Sequence, residues 1–387
     1  MLEISKRIQN IASSQTIAVD SKAKQLICEG KKIYNFAVGE PDIAPPEVLI
    51  KAIDKAYHEG KTKYTHPAGT PEVREKVAAH LYGLDKVKYS KDQIVVTNGG
   101  KQALFLAFQS IINEGDEVII LKPYWVSYTE QVKLAQGKPV FVDTTDEFQL
   151  DIEAIKEALT NKTKAIILNS PSNPTGMVFK KDSIKKLAAE LEGKDIYIIS
   201  DDIYQNLSYD EEFYPIAKYS KKIKEQTIII QGLSKSHAMT GLRLGFMAAN
   251  LEVTAAATKL QSQLSSNPNS LLQAASIEVM ENSEEYEKKY FELFKSRRDL
   301  VVSILEKNDK ISFNKPQGAF YVFVNISQIE NDSAKFSEKL LEEELVATVP
   351  GIAFGMEGFV RLSFASSEKD LKEGLSKFNA FCEKIAK

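Results

Sequence analysis

Cysteine is scarce in this chain. Cys28 and Cys382 are its only two and lie near opposite ends, so there is no disulfide framework, and a reducing cytoplasm is the expected setting. The four histidines, His58, His66, His80 and His237, lack metal-ligand spacing, and no metal is expected. Neither sign of charge dominates. Lys+Arg 50 against Asp+Glu 53 leaves a net −3, which offers no basic excess for nucleic acid or an anionic membrane surface. No apolar run approaches the length that spans a bilayer. The first residues, Met1-Leu-Glu-Ile-Ser-Lys-Arg, carry charge where a signal peptide needs an apolar core. No internal repeat or low-complexity tract is apparent. What is present is ordinary for a globular enzyme: 43% hydrophobic and 27% charged residues. The 387 residues exceed what one compact core usually holds, so two domains are expected.

Short apolar runs alternate with helical patterns through the first two-thirds of the chain. Gln93–Thr97, Glu117–Leu121, Pro139–Val142, Thr163–Leu168, Ile196–Ile199 and Thr227–Ile230 read as buried strands. Helical patterns fall at Pro46–Glu59 (Val48, Leu49, Ile53 and Tyr57 on one face), after Pro71 (Val73, Val77, Leu81), at Gln102–Ile112, and at 151–161 and 182–192. Strands alternating with helices predict a largely parallel sheet covered on both faces. Ligands of such sheets gather beyond the strands' carboxyl ends, so the polar residues there are the ones to inspect. Ile4, Ile8 and Ile11 recur at helical spacing in an amphipathic N-terminal arm. Residues 252–276 and 281–306 read as helices, the second linking to a smaller α+β unit. That unit has strands at Phe320–Val324 and Phe359–Phe364, and helices at 333–344 and 368–385.

The chain is organised around Gly232-Leu-Ser-Lys235-Ser-His-Ala-Met-Thr-Gly241-Leu-Arg243-Leu-Gly245. The apolar runs Thr227–Ile230 and Leu242–Met247 flank it, so Lys235 is expected on a connection between strands, among small residues. A desolvated lysine there can lose its proton and attack a carbonyl. Arg243 supplies a planar cation suited to phosphate. Asn98-Gly99-Gly100-Lys101 lies between a strand and a helix start, where free backbone N–H groups can bind phosphate. Trp125, the only tryptophan, follows a strand's end, where its ring is placed either for the core or for stacking on a flat ligand.

These stretches resemble the class I/II aminotransferases, and most closely the Ib branch of the aspartate aminotransferases. The matches are Asn-Gly-Gly-Lys-Gln-Ala-Leu at 98–104, Pro-Tyr-Trp-Val-Ser-Tyr at 123–128, Asn-Pro-Thr-Gly at 173–176 and the Lys235 signature. The resemblance runs from the Gly39 turn to the Arg361 strand. It implies an α/β architecture, fold type I of the enzymes that use pyridoxal 5′-phosphate (PLP). It further implies a mostly parallel seven-stranded sheet in a large domain, 46–290, and a smaller α+β domain, 291–387, with 1–45 as N-terminal arm and part of the small domain.

The resemblance also assigns roles. Lys235 would carry the cofactor aldehyde and shuttle a proton. Asp201 would hold the pyridine nitrogen protonated, although read alone it fits a helix N-cap equally well. Asp202, where the family often has glutamate, receives no ring contact. Asn173 and Tyr204 would meet the phenolic oxygen, and Trp125 would lie over the ring. Gly99, Gly100, Lys101, Ser234 and Arg243 would hold the phosphate, joined by Tyr64 of a neighbouring subunit in a homodimer with shared active sites. One departure is Gly232, where some members have a phosphate-binding serine; Ser234 is the expected substitute.

For the substrates, an amino acid and a 2-oxoacid, Gly39 and Arg361 would meet the α-carboxylate, with Trp125 and Asn173 alongside. Lys101 sits where Ib members recognise a distal carboxylate, which favours aspartate and glutamate with oxaloacetate and 2-oxoglutarate, by a ping-pong reaction. Prephenate users carry a basic residue just before a segment like Ser14-Gln-Thr-Ile-Ala18; here Ala12 and Ser13 stand there. Aromatic or alanine substrates, or β-elimination by a C–S lyase on the same fold, stay open. A PLP-binding regulator ranks low, because the chain shows no extra module and no basic patch.

Overall fold

The computed structural model describes residues 2–13 and 15–386. Ser14, which opens the segment weighed above for prephenate, lies outside the described residues. The strands are β1 Tyr34–Asn35, β2 Ile94–Thr97, β3 Glu117–Lys122, β4 Lys138–Asp143, β5 Thr163–Asn169, β6 Tyr197–Asp201, β7 Thr227–Gly232, β8 Gly245–Ala248, β9 Ser312–Phe313, β10 Tyr321–Asn325, β11 Val346–Ala347, β12 Val349–Pro350 and β13 Phe359–Ser363. The α-helices before the midpoint are α1 Lys6–Gln9, α2 Gln15–Cys28, α3 Val48–His58, α4 Pro71–Asp85, α5 Gly100–Ile111, α6 Ser127–Leu134, α7 Ile152–Ala158 and α8 Lys181–Leu191. After it come α9 Lys221–Gln226, α10 Leu233–Ser236, α11 Leu251–Leu264, α12 Ser270–Asn282, α13 Glu284–Leu305, α14 Ser333–Glu344 and α15 Glu368–Ile385.

Seven strands form the main sheet in the order β2-β8-β7-β6-β5-β3-β4. Only β8 runs against its neighbours. This is the mostly parallel sheet expected. Alternation along each strand explains its two covered faces. Val118 and Ile120 of β3 pack with Leu104 and Phe108 of α5 on one face. Ile119 and Leu121 pack with Ile184 and Leu187 of α8 on the other. A four-stranded antiparallel sheet, β12-β13-β10-β9, and the parallel pair β1-β11 lie apart from it. There Phe320 and Tyr321 share a core with Phe336 of α14, Phe378 of α15 and Tyr290 and Phe294 of α13. The main sheet's registers bring its polar ends together. Asn169 lies opposite Asp201, and Gly245 lies opposite both Gly232 and Thr97.

Several expectations need correction. The helix expected over 252–276 is two helices, α11 and α12. Ser266 adopts a left-handed φ of 61°, Pro268 cannot donate a backbone bond, and Asn269 caps α12 by accepting from the Leu272 N–H at 3.1 Å. Tyr57 is exposed rather than on the buried face of α3, which is filled by Leu49, Ala52 and Ala56. The strand expected from Leu242 starts at Gly245, because Arg243 takes a left-handed φ of 55°. Lys235 sits on a one-turn helix, α10, rather than on an open connection. The arm is two helices, and Ile4 and Ile8 are exposed. Cys28 is exposed and Cys382 buried, both as free thiols. Among the described residues no helix is long and apolar enough to cross a membrane, and no cluster of His, Cys, Asp or Glu could hold a metal.

Candidate active site

The carboxyl ends of β2, β3, β5, β6 and β7 open into one cavity of about 380 Å³, closed on the other side by the arm, the Gly39 turn and β13. Lys235 reaches it from α10 and donates to the Gly39 carbonyl at 2.5 Å. Burial draws the amine down to about 8, opposed by Glu40 and assisted by Arg361, Arg243 and Lys101. The amine is therefore more readily uncharged than an ordinary lysine, as a nucleophile or base requires.

Asp201 ends β6 on the cavity wall. One carboxylate oxygen accepts from the Tyr128 hydroxyl at 2.7 Å. The other is buried and has no partner among the described residues. Burial pushes this carboxyl up to about 6, against the Tyr128 bond. A buried acceptor left open toward a cavity calls for a donor from a ligand. Asn169 braces the same strand end, donating to the Asp201 carbonyl at 2.9 Å and accepting from the Asn173 N–H at 2.9 Å.

Arg361, on β13, is 2% exposed. Its Nη1 donates to Asn173 Oδ1 at 2.9 Å and its Nη2 to the Ala37 carbonyl at 2.7 Å. The guanidinium lies 4.4 Å from the Tyr321 ring centroid. It is thus oriented by neutral acceptors, with no carboxylate paired to it among the described residues, and its charge is available to an anionic ligand. Tyr204 is buried, with its hydroxyl 2.8 Å from that of Tyr321.

The opposite wall is a tight cradle. Gly99 has φ 85°, and a Cβ there would stand 2.6 Å from Arg243 Nη2. A Cβ on Gly245 would meet the Gly100 nitrogen at 2.4 Å. The two glycines let the turn, β8 and the guanidinium close on one point beside the N-terminus of α5. Ser234 lines this side as well. Lys101 Nζ lies 5.0 Å from the Trp125 ring centroid, and burial, then Arg243, lowers its amine below the ordinary range. Four cations, Lys101, Lys235, Arg243 and Arg361, therefore face three carboxylates, Asp20, Glu40 and Asp201. The surplus suits a ligand set bearing several negative groups.

The whole length of the chain compares with proteins of known kind. The family model described as aminotransferase class I and II matches residues 31–378. The chain belongs to this family. It is a transaminase. The aspartate aminotransferase of Bacillus subtilis (strain 168) is 40% identical, over 99% of this chain and 100% of that protein. That of Thermotoga maritima is 41% identical over 98% and 99%. A relative from Aquifex aeolicus, named "Probable aspartate/prephenate aminotransferase", is 40% identical over 99% of both chains. Among solved structures, the Thermus thermophilus aspartate aminotransferase with maleate superposes with a TM-score of 0.95 at 39% identity, covering 98% of this chain and 100% of its own.

Within this aminotransferase, the structure gathers Gly39, Gly100, Lys101, Trp125, Asn173, Asp201, Tyr204, Ser234, Lys235, Arg243 and Arg361 on the one cavity. Gly99 backs it through Arg243. Tyr64 is not among them: it is 89% exposed, in a separate groove beside α3 and α12. Asp202 turns away and accepts from Ser200 at 2.6 Å. Sequence reasoning missed Tyr128, Asn169, Tyr321, Glu40 and Asp20. Tyr128 and Asn169 were findable, since each lies within or beside a quoted motif at a strand's carboxyl end. Tyr321, Glu40 and Asp20 enter only through folding of the arm and β10 over the sheet.

Proposed function

We propose that this aminotransferase uses PLP to move the amino group of L-aspartate to 2-oxoglutarate by a ping-pong reaction. The observation that carries the reading is the pair across the cavity: an amine brought down to about 8 at Lys235, and the open, buried oxygen of Asp201. The residues fit PLP. Lys235 would hold its aldehyde, Asp201 its ring nitrogen, Asn173 and Tyr204 its phenolic oxygen, and Trp125 its ring face. Gly99, Gly100, Lys101, Ser234 and Arg243 would hold its phosphate. When bound, PLP supplies an electron-withdrawing ring that stabilises negative charge on the substrate's α-carbon. Arg361, oriented by Asn173 and Ala37, binds the α-carboxylate as a planar fork. Lys235 Nζ would take the proton from the donor's α-carbon and, in the second half-reaction, supply one to the α-carbon of the incoming 2-oxoacid.

The arm and the Gly39 turn line the cavity through Ile17, Asp20 and Gly39. Exposed Tyr64 suits a homodimer in which it completes the neighbour's phosphate site. The free thiol of exposed Cys28 suits the cytoplasm. Lys101 beside Trp125 supports a dicarboxylic substrate, as does the maleate, itself a dicarboxylate, in the Thermus structure.

Borohydride reduction should trap the cofactor on Lys235, and Lys235→Ala should lose transamination; full activity in that variant refutes the mechanism. A panel of aspartate, glutamate, alanine, aromatic donors and prephenate then sets specificity. A poor rate with aspartate removes the Lys101 argument, and pyruvate and ammonia released without a 2-oxoacid point to β-elimination.

A further inference from the structure

Behind Lys235, on the side away from the cavity, lies a buried polar chain that the proposed chemistry does not use. His237 is fully buried two residues beyond the lysine. Its Nδ1 stands 2.8 Å from Ser236 Oγ. Its Nε2 stands 2.8 Å from Ser283 Oγ and 3.1 Å from Glu287 Oε1. An ionised carboxylate only accepts, so Nε2 carries a hydrogen. Ser283 donates to the same Glu287 oxygen at 2.9 Å. Burial pushes Glu287 up, but the bonds from His237 and Ser283 bring it below the ordinary carboxylate range, so it is ionised.

Other groups facing this chain are few. From α4, burial and then the neighbouring His237 hold His80 down to about 4, so His80 is neutral; Lys76 acts on it from the same helix. From α13, the Tyr286 ring stacks on His237 at 6.0 Å. Asn206 donates to the second Glu287 oxygen at 3.3 Å. Glu, His and Ser in sequence have the order of a hydrolytic triad. Ser236 is only 4% exposed and does not line the cavity, so no substrate reaches it.

The chain instead joins two elements. α10 is a single turn of four residues, too short to hold its own place. α13 has 22 residues and is anchored at several points. Tyr290 donates to the Lys235 carbonyl, and Arg297 clamps Asp42 of the Gly39 turn at 2.6 and 2.9 Å. One helix therefore touches both the lysine's turn and the segment whose carbonyl receives the lysine's amine.

We propose that His237 is a positioning residue, tying the lysine-bearing turn α10 to the long helix α13 through Glu287 and so fixing where the Lys235 amine stands in the cavity. The proposal rests on the reading of Lys235 as the reacting amine. It is tested on the full-length protein freed of coenzyme and again loaded with PLP. In the coenzyme-free protein, Lys235 acylation by a small anhydride is followed by mass spectrometry from pH 6 to 10. His237→Phe should move the rate at pH 8 by about threefold or more in a protein that still unfolds cooperatively. In the loaded protein, the pH midpoint of the coenzyme's absorbance change should move by about half a unit, a threefold change in proton affinity. kcat should fall about tenfold or more with KM within about twofold, since misplacement by about 1 Å is costly.

Glu287→Ala, made on the other helix, should shift labelling and midpoint in the same direction, and it serves if His237→Phe does not fold. His237→Gln, which keeps a donor toward Glu287, should recover part of the labelling rate. Labelling and midpoint both unchanged in the folded variants, with only thermal stability lowered, overturns the proposal. Failure of the parent to bind PLP would sink the functional reading alone, because the labelling arm needs no coenzyme.

Discussion

Tyr128 donates its hydroxyl hydrogen to Asp201 at 2.7 Å, and this is the only polar side chain that reaches that carboxylate among the described residues. Burial raises the Asp201 carboxyl to about 6 while Tyr128 pulls it down. Burial outweighs the Tyr128 bond, and the balance sets whether the acid is ionised in the working range. Tyr128→Phe removes the largest of the lowering effects and keeps the burial. A hydrogen bond to a charged group is worth about 1.5–3 kcal/mol, so the carboxyl should climb by about one to two pH units. The acid limb of the kcat/KM profile should move up by that amount, with little loss near pH 9. A profile whose acid limb stays in place would show that Tyr128 does not tune this acid.

Arg361 has two anchors of different kinds, the Asn173 side chain and the Ala37 carbonyl. Arg361→Lys keeps a charge but cannot make the planar fork. Breaking one partner of a buried charged pair costs about 2–5 kcal/mol, so kcat/KM for amino donors should fall about 30-fold or more. Asn173→Ala leaves the Ala37 anchor intact and should cost less, about five- to tenfold, the worth of one hydrogen bond. Steady-state kinetics on both variants checks the order. Equal losses would mean that Arg361 works only when Asn173 orients it, or that Asn173 acts through its contact to the PLP phenolic oxygen, and the ranking of the two anchors would fall.

The parts of this site that were legible in the sequence are the strand ends. Buried parallel strands are unbroken apolar runs, so Ile-Ile-Leu-Asn169 and Ile-Ile-Ser-Asp201 announce both the strand and the polar residue that closes it. The Lys235 turn was visible because small residues surround a lysine between two such runs. The break between α11 and α12 was legible too, since Ser265-Ser-Asn-Pro-Asn269 is an unbroken cluster of turn-forming residues, but a helical reading of the pattern on either side runs straight through it. What was hidden is what depends on backbone angles or distant partners. Arg243 interrupts an apolar run by a left-handed φ that its sequence neighbours do not demand. Tyr321 and Glu40 join the site only because β10 and the arm fold across the sheet from more than 100 residues away from the motifs they meet.

Gly99 and Gly245 are where the cradle has no slack. Gly99→Ala puts a side chain at φ 85° and 2.6 Å from Arg243 Nη2. With ψ at 161° the backbone lies in a region essentially reserved for glycine, which alone costs about 1–3 kcal/mol, and the guanidinium must move as well. Arg243 is also anchored to the Thr240 carbonyl at 2.8 Å, which resists that movement. PLP should bind about tenfold or more weakly in Gly99→Ala, read by titrating absorbance, while the coenzyme-free protein loses only a few degrees of Tm. Unchanged PLP affinity would remove Arg243 and this turn from the phosphate site.

Lys235 gives a prediction about stability in the absence of coenzyme. Its amine lies at about 8 in the folded chain against 10.5 when free in water. Between those values the unfolded chain binds more protons than the folded one, so stability rises with pH across that window. Below pH 8 the folded protein carries the full cost of a withdrawn ammonium, and above 10.5 it carries none. Lys235→Met keeps the length and removes the charge. Since the lysine is only partly buried, a gain of about 1–3 kcal/mol is expected at pH 7. The gain should shrink from pH 8 upward and vanish by about 10.5. Urea unfolding of the coenzyme-free parent and variant at pH 7, 9 and 10.5 measures it. Two stability curves that run parallel over this range would mean that the amine keeps its ordinary proton affinity, and the base role of Lys235 would then depend wholly on bound coenzyme.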